Sequence, residues 1–208
     1  MLLAVAPSLS FAWTQTAPLA LDHCKVHNPY GFPQSSKQIT PICRRAYFVG
    51  YDAAAKLPNY VTYTLTPPNA LGCVARTNAF VADQSVAGGP TPQDYAGTGY
   101  DKGHMAPAAD FNCTTEMLYQ TFTYLNCALQ NQYLNRGVWR LLEAYERELA
   151  KVDSVNVKII VVFDKNSVVL PSGAHVPSGF YKIITLTKAN KIIKYYFPNE
   201  KPTKKTFD

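Results

Sequence analysis

Asp101-Lys102-Gly103-His104 sets an acid, a cation and an imidazole within four residues, followed at once by Met105-Ala106-Pro107-Ala108-Ala109-Asp110-Phe111. Those residue types suit phosphodiester chemistry. Cleaving a phosphodiester needs an activated water in line with the leaving oxygen, and positive charge to offset what builds up on the phosphate. His104 is a candidate general base, because an imidazole titrates near neutrality and small shifts tune it. It would need an orienting hydrogen bond on its other ring nitrogen. Gly103 permits a tight turn or a close approach of backbone, and Pro107 favours an extended strand end before it.

Further along, Asn135-Arg136-Gly137-Val138-Trp139 leads into Leu142-Glu143. On a helix, Asn135, Trp139 and Glu143 follow at i, i+4 and i+8 and line one slowly drifting edge. An asparagine oxygen is a modest ligand for a hard divalent ion, and Mg2+ keeps several waters when protein ligands are few. Asn135 is therefore the candidate metal ligand. Glu143, two turns on, is placed to accept hydrogen bonds from the waters of the ion, and Asn126 is a candidate to hold a neighbouring ligand or the phosphate. Taken singly, each has an ordinary reading: a satisfied histidine, a helix cap, a surface carboxylate.

The elements that must position these residues are partly legible. Residues 46–51 and 60–65 are rich in aromatic and β-branched side chains and are separated by Lys56-Leu-Pro58-Asn59, so they read as neighbouring antiparallel strands. A loop from Thr66 to about Gly99 carries Pro67-Pro68, Gly88-Gly89-Pro90 and Pro92. Loops that long are more often functional than idle. A helix is expected over 114–128, with Thr114 or Thr115 as N-cap and Glu116 favouring the positive end of its dipole. A second is expected over 132–152, with Leu134, Val138, Leu141, Leu142, Tyr145 and Leu149 as its core stripe. Residues 155–163, 180–186 and 191–197 read as strands. Strands, then two helices, then strands without βαβ alternation indicate an α+β fold with a central antiparallel sheet.

Taken together these motifs resemble the DNA/RNA non-specific endonucleases, the ββα-metal (His–Me finger) group that includes endonuclease G and secreted bacterial nucleases. The resemblance covers approximately residues 42–197 and is densest over 100–150. It implies an α+β fold with a ββα-metal motif and a long active-site helix. The activity it implies is Mg2+-dependent hydrolysis of DNA and RNA, with Mn2+ as a substitute ion and 5′-phosphate products. Carried over by motif, His104 is the general base and Asn135 the sole direct protein ligand of the metal. Asn126 matches another active-site asparagine and Glu143 the glutamate after the tryptophan. Lys102, Arg76 and Arg147 fall on phosphate-binding positions. The usual Asp-Arg-Gly-His has Lys102 here, which keeps the charge but loses the planar fork of arginine; altered rate or substrate preference is expected. The chain also stops at Asp208, where related proteins continue with a further strand and helix. The competing reading is a nucleic-acid-binding or structural protein that keeps the fold with weakened catalysis. Beyond DNA and RNA, an inhibitor protein and a second copy of the chain are candidate partners.

Composition sets the outer bounds. With 208 residues, 47% hydrophobic and 16% charged, the chain is globular rather than disordered. A net charge of +6 favours a polyanionic partner through counterion release. No run approaches the ~18 apolar residues that span a membrane. Residues 1–12 read as a signal peptide, with Ser10 and Ala12 at −3 and −1 and Trp13 opening the mature chain, which points to a secreted or periplasmic protein. Residues 13–41 then form an irregular arm and 42–208 the endonuclease domain. Of five cysteines, Cys24, Cys43 and Cys73 are the disulfide candidates with connectivity open, while Cys127 reads as a small buried hydrophobe. The zinc-like spacing of His23-Cys24-x-x-His27 reads as loop, without a second ligand pair. The lysines from Lys188 to Lys205, interleaved with Tyr195, Tyr196 and Phe197, read equally as a nucleic-acid contact or a solvated strand face.

Overall fold

The computed structural model describes residues 17–31, 33, 35–66, 73–165 and 167–207; the expected signal peptide lies outside the described residues. Eight strands follow in chain order: β1 (Thr40–Cys43), β2 (Phe48–Asp52), β3 (Leu57–Leu65), β4 (Asp101–His104), β5 (Cys127–Gln130), β6 (Val155–Val162), β7 (Gly179–Leu186) and β8 (Lys191–Pro198). Six of them make one antiparallel sheet in the order β1-β2-β3-β6-β7-β8. The five strand segments expected from β-branched and aromatic content all fall within it. Between its third and fourth members the chain leaves the sheet for residues 66–154, and that excursion carries every candidate site residue.

The excursion folds onto one face of the sheet. β4 and β5 pair antiparallel, with Asp101 opposite Gln130 and His104 opposite Cys127. Between them stands α1 (Thr115–Thr121), capped by Thr114, whose side chain accepts from the Met117 N–H. The helix expected to continue to residue 128 ends here instead. Thr121 and Thr123 turn their hydroxyls back to the carbonyls of Leu118 and Gln120, an alternative to helix that such residues readily take, and the chain passes through a single turn into β5.

The long active-site helix is also interrupted. A short turn α2 (Gln132–Leu134) runs into a π-helical turn over Asn135–Trp139 and then into α3 (Arg140–Ala150). Gly137 breaks the helix with φ −102° and ψ −115°. Leu134, Val138 and Leu142 still reach the core, but Leu141 faces solvent. Trp139 is fully buried, packed edge-on against Phe180 and Phe197 of the sheet. Burying so large a ring fixes the helix on the sheet and so sets the height of Asn135 and Glu143 above it.

The N-terminal arm is tied down where a short helical turn (Leu21–Val26) meets β1 through a Cys24–Cys43 disulfide. His27 Nε2 donates to the Arg45 carbonyl at 2.9 Å and its Nδ1 accepts from Thr64 N–H at 3.2 Å. With both nitrogens satisfied and Cys24 bonded elsewhere, the zinc-like spacing is a structural loop. Cys127 is fully buried, as its neighbours in sequence suggest. No helix among the described residues is long and apolar enough to cross a membrane.

Candidate active site

A cavity of about 740 Å3 opens where β4, the start of α3 and the loop after β3 converge. Arg76, Lys102, His104, Asn135, Glu143 and Arg147 all line it, so six of the seven residues singled out in sequence meet at one place. The seventh, Asn126, does not reach it.

His104 sits at the end of β4. Its ring packs at 5.1 Å on Phe80 and edge-on at 4.9 Å on Phe122, and Nε2 is enclosed with no hydrogen-bond partner. The orienting hydrogen bond expected from sequence is thus replaced by two aromatic rings. Burial, seconded by the Arg76 charge, pushes the imidazole down to about 3, so it is neutral across the physiological range. The same rings hold the cations: Lys102 Nζ lies 4.7 Å from the centre of Phe80, and the Arg76 guanidinium 5.2 Å from Phe122. Lys102 and Arg76 are exposed and line the cavity on either side of the histidine.

Gly103 permits this arrangement by close approach. A Cβ there would stand 2.6 Å from Gln130 Cβ across the pair of strands. Asn126 secures the segment beyond. Its Oδ1 accepts from Ala106 N–H at 2.8 Å, and its Nδ2 donates to the carbonyls of Ala106 at 2.8 Å and Thr121 at 2.9 Å. Met105 N–H donates to the Asn126 carbonyl. Fully buried and fully engaged with backbone, Asn126 positions the turn after His104 and is not available to a ligand; the active-site contact expected of it is corrected accordingly.

Asn135 donates from Nδ2 to Asp101 Oδ2 at 2.8 Å. That bond fixes the amide and leaves Oδ1 as the oxygen that a cation can use. Asp101 also receives a two-pronged contact from Arg136, at 2.8 and 2.6 Å. Burial pushes the Asp101 carboxyl up, but these hydrogen bonds outweigh it and hold it below the usual carboxylate range. Among the described residues there is no cluster of three acidic, histidine or cysteine side chains that could cage a metal. One amide oxygen with a carboxylate nearby suits a hydrated hard ion, not a softer metal held by many protein ligands.

Glu143 is half-buried on α3. Burial pushes it up to about 7, with Glu146 adding to the shift and Lys182 and Arg147 opposing it. Below it lies a charged layer that is closed to solvent. Lys182 of β7 and Glu146 of α3 are both fully buried and pair at 2.9 Å; Tyr63 donates to Glu146 at 2.7 Å, and Lys182 stands 4.3 Å over the Trp139 ring. The edge anticipated for Asn135, Trp139 and Glu143 therefore divides: the polar pair faces the cavity and the tryptophan roofs Lys182. Arg147 lines the cavity with its Nη1 committed to buried Asp110 at 2.8 Å, so only the rest of its guanidinium is left to the cavity.

The family model for DNA/RNA non-specific endonucleases matches residues 25–207. The chain belongs to that family. It is 32% identical over 140 residues to "Nuclease EXOG, mitochondrial" of Xenopus laevis, covering 66% of this chain and 38% of that protein. Identity to a nuclease of a Nostoc species is 29%, covering 90% of this chain and 74% of that one. The chain thus spans well under half of the first relative and about three quarters of the second. Its fold matches EndoG as solved in complex with EndoGI, with a TM-score of 0.77, 27% identity, and coverage of 91% of this chain and 85% of that one. The α+β fold anticipated from the order of elements is the fold of this family.

Phe80 and Phe122, which pack on His104, carry no motif of their own in sequence. Phe80 is one aromatic residue in a long irregular loop. Asp101 and Arg136 sit inside the quoted motifs, and their opposite charges were the available signal for the pairing. The basic stretch from Lys188 to Lys205 does not line the cavity; much of β8 is a solvated strand.

Proposed function

We propose that the chain hydrolyses phosphodiester bonds in DNA and RNA, using Mg2+ or, in its place, Mn2+, and leaves 5′-phosphate ends. The observation that carries this reading is a neutral imidazole on the wall of an open cavity, its enclosed Nε2 without a hydrogen-bond partner, with two exposed cations beside it. His104 accepts a proton from the attacking water. In the free protein, burial and Arg76 disfavour the imidazolium; an anionic phosphate between Arg76 and His104 offsets that repulsion as the proton arrives. The water oxygen bonds to phosphorus, the bond to the 3′ oxygen breaks, and that oxygen takes a proton from solvent.

Arg76 and Lys102, with the free part of Arg147, hold the non-bridging oxygens. Lys102 acts as a point charge without bidentate geometry. A Mg2+ ion held by Asn135 Oδ1, with its waters accepted by Glu143, would supply positive charge to the transition state. All these groups address phosphate and metal, which supports recognition of backbone over base sequence. The cavity is also the surface that an inhibitor protein would cover, and a homodimer is compatible with it. The Cys24–Cys43 disulfide supports work in an oxidising, exported setting, with residues 1–12 as leader and 42–208 as the endonuclease domain.

Supercoiled plasmid and a structureless RNA, each incubated with Mg2+ and with EDTA, test the proposal. Both are cut with Mg2+ and spared with EDTA, and the new ends accept ligation only if they carry 5′-phosphate. Intact plasmid and RNA in Mg2+, with salt-sensitive binding retained, would select a nucleic-acid-binding protein instead.

A further inference from the structure

The loop after β3 brings Arg76 and Phe80 to the site. Val74 N–H donates to the Asn112 carbonyl at 2.8 Å, and the Val74 side chain packs against Ala108, Leu118 and Phe122. Immediately beside that bond, Cys73 and Cys113 bring their sulfurs to 3.2 Å. Both are thiols, Cys73 exposed and Cys113 half-buried. Two cysteines carried on segments already joined by a backbone hydrogen bond need a closure of only about 1 Å to reach the ~2.05 Å of a bond.

We propose that Cys73 and Cys113 are a modification site: they close a second disulfide that clamps the Arg76 segment onto the wall of the active site. The position is topologically apt. The two residues are 40 apart in sequence, and the chain between them contains Arg76, Phe80, Lys102 and His104. A bond there closes one ring around the base and both exposed cations. Cys113 also precedes Thr114, the cap of α1, so the clamp ties the arginine loop to the helix that ends at Phe122.

The chemistry is thiol–disulfide exchange with a low-molecular-weight disulfide such as oxidised glutathione. The thiolate of Cys73, the exposed member, attacks one sulfur of the oxidant and releases one glutathione thiolate. Cys113 then attacks the mixed disulfide at Cys73 and releases the second. Two protein thiols are oxidised, one oxidant disulfide is reduced, and two protons are lost. Contact with Cys113 holds the Cys73 thiol above its usual range, so exchange is faster at mildly alkaline pH. Selectivity comes from access: Cys24 and Cys43 are buried, and the bond between them is sheltered from the reductants that reach Cys73.

The test equilibrates the full chain at pH 8 in glutathione buffers from reducing to oxidising, blocks free thiols, and maps peptides by mass. The expected result is a single linked peptide pair, Cys73–Cys113, that appears with oxidation and reverses with reduction, while Cys24–Cys43 stays bonded and Cys127 stays a thiol. Hydrogen exchange over residues 74–80 should be about ten-fold slower in the oxidised form, as in any segment whose local opening is restricted. C73S/C113S should show neither change. Cys73 ending as a stable glutathione adduct, or with both thiols free in oxidising buffer, would overturn the cross-link. A cross-link without slower exchange would overturn the clamp. Neither readout uses catalysis, so an inactive protein would count against the nuclease reading and leave this one intact.

Discussion

Asn126→Ala separates a positioning role from a ligand role. The wild-type side chain makes three hydrogen bonds of 2.8–2.9 Å, two to Ala106 and one to Thr121, in a site with no solvent exposure. Each such bond contributes about 1 kcal/mol net, and each buried backbone group left without a partner costs about 1–3 kcal/mol. Some relaxation and water entry will soften this, so a loss of about 3–5 kcal/mol is expected, a large part of the ~5–15 kcal/mol that keeps a domain folded. Asn126→Asp should be at least as harmful, because it keeps the acceptor for Ala106 N–H but turns an oxygen towards two carbonyls. The assay is urea unfolding followed by tryptophan emission, since Trp139 is fully buried in the core. With a slope of about 2 kcal/mol per molar, the midpoint should fall by roughly 1.5–2.5 M at unchanged slope. A midpoint within about 0.3 M of wild type, with nuclease activity down about 100-fold or more, would refute the reasoning and return Asn126 to the reacting groups.

Gly103→Ala drives a Cβ into Gln130; overpacking of about 1–3 kcal/mol is expected, and displacement of the adjacent His104 should slow plasmid nicking by up to about 100-fold. Lys182→Met strands buried Glu146 and should cost about 3–5 kcal/mol in urea unfolding, with most of it recovered in Lys182→Met/Glu146→Gln. Glu143 stands near 7 against an ordinary 4.5, so the folded state holds its proton more tightly, and the stability this contributes at low pH is lost as pH rises from 4.5 to 7. In metal-free buffer the unfolding midpoint of Glu143→Gln relative to wild type should therefore climb across that window and level off above it; a difference that is flat with pH would contradict the assignment.

What was legible in sequence follows the physics that is local. Long strands announce themselves through β-branched runs, and β3, β6, β7 and β8 overlap the runs 60–65, 155–163, 180–186 and 191–197. The residues that line the cavity were legible because motifs hold side chains at fixed spacing. Features settled by distant contacts were not. The four residues of β5 are all buried and carry no alternation, so Cys127 and Ala128 read as the tail of a helix until β4 pairs with them. Gly137 was visible, but an isolated glycine in a helical pattern does not say whether the helix bends or breaks. Asn126 read as a residue that holds a neighbouring ligand or the phosphate because an asparagine's partners cannot be read without the fold, and here they are backbone groups twenty and five residues away. Cys24 and Cys43 were both candidates, yet their pairing depends on the arm lying against β1.

In the proposed reaction His104 takes a proton from water beside a metal held at Asn135. Initial rates of plasmid nicking for wild type, His104→Ala and Asn135→Ala, measured across a Mg2+ titration, address it most directly. His104→Ala should lose about 10²–10⁴-fold in rate at every Mg2+ concentration, whereas Asn135→Ala should need more Mg2+ and recover part of its rate as the ion is raised. Nicking by His104→Ala at the wild-type rate would contradict the account.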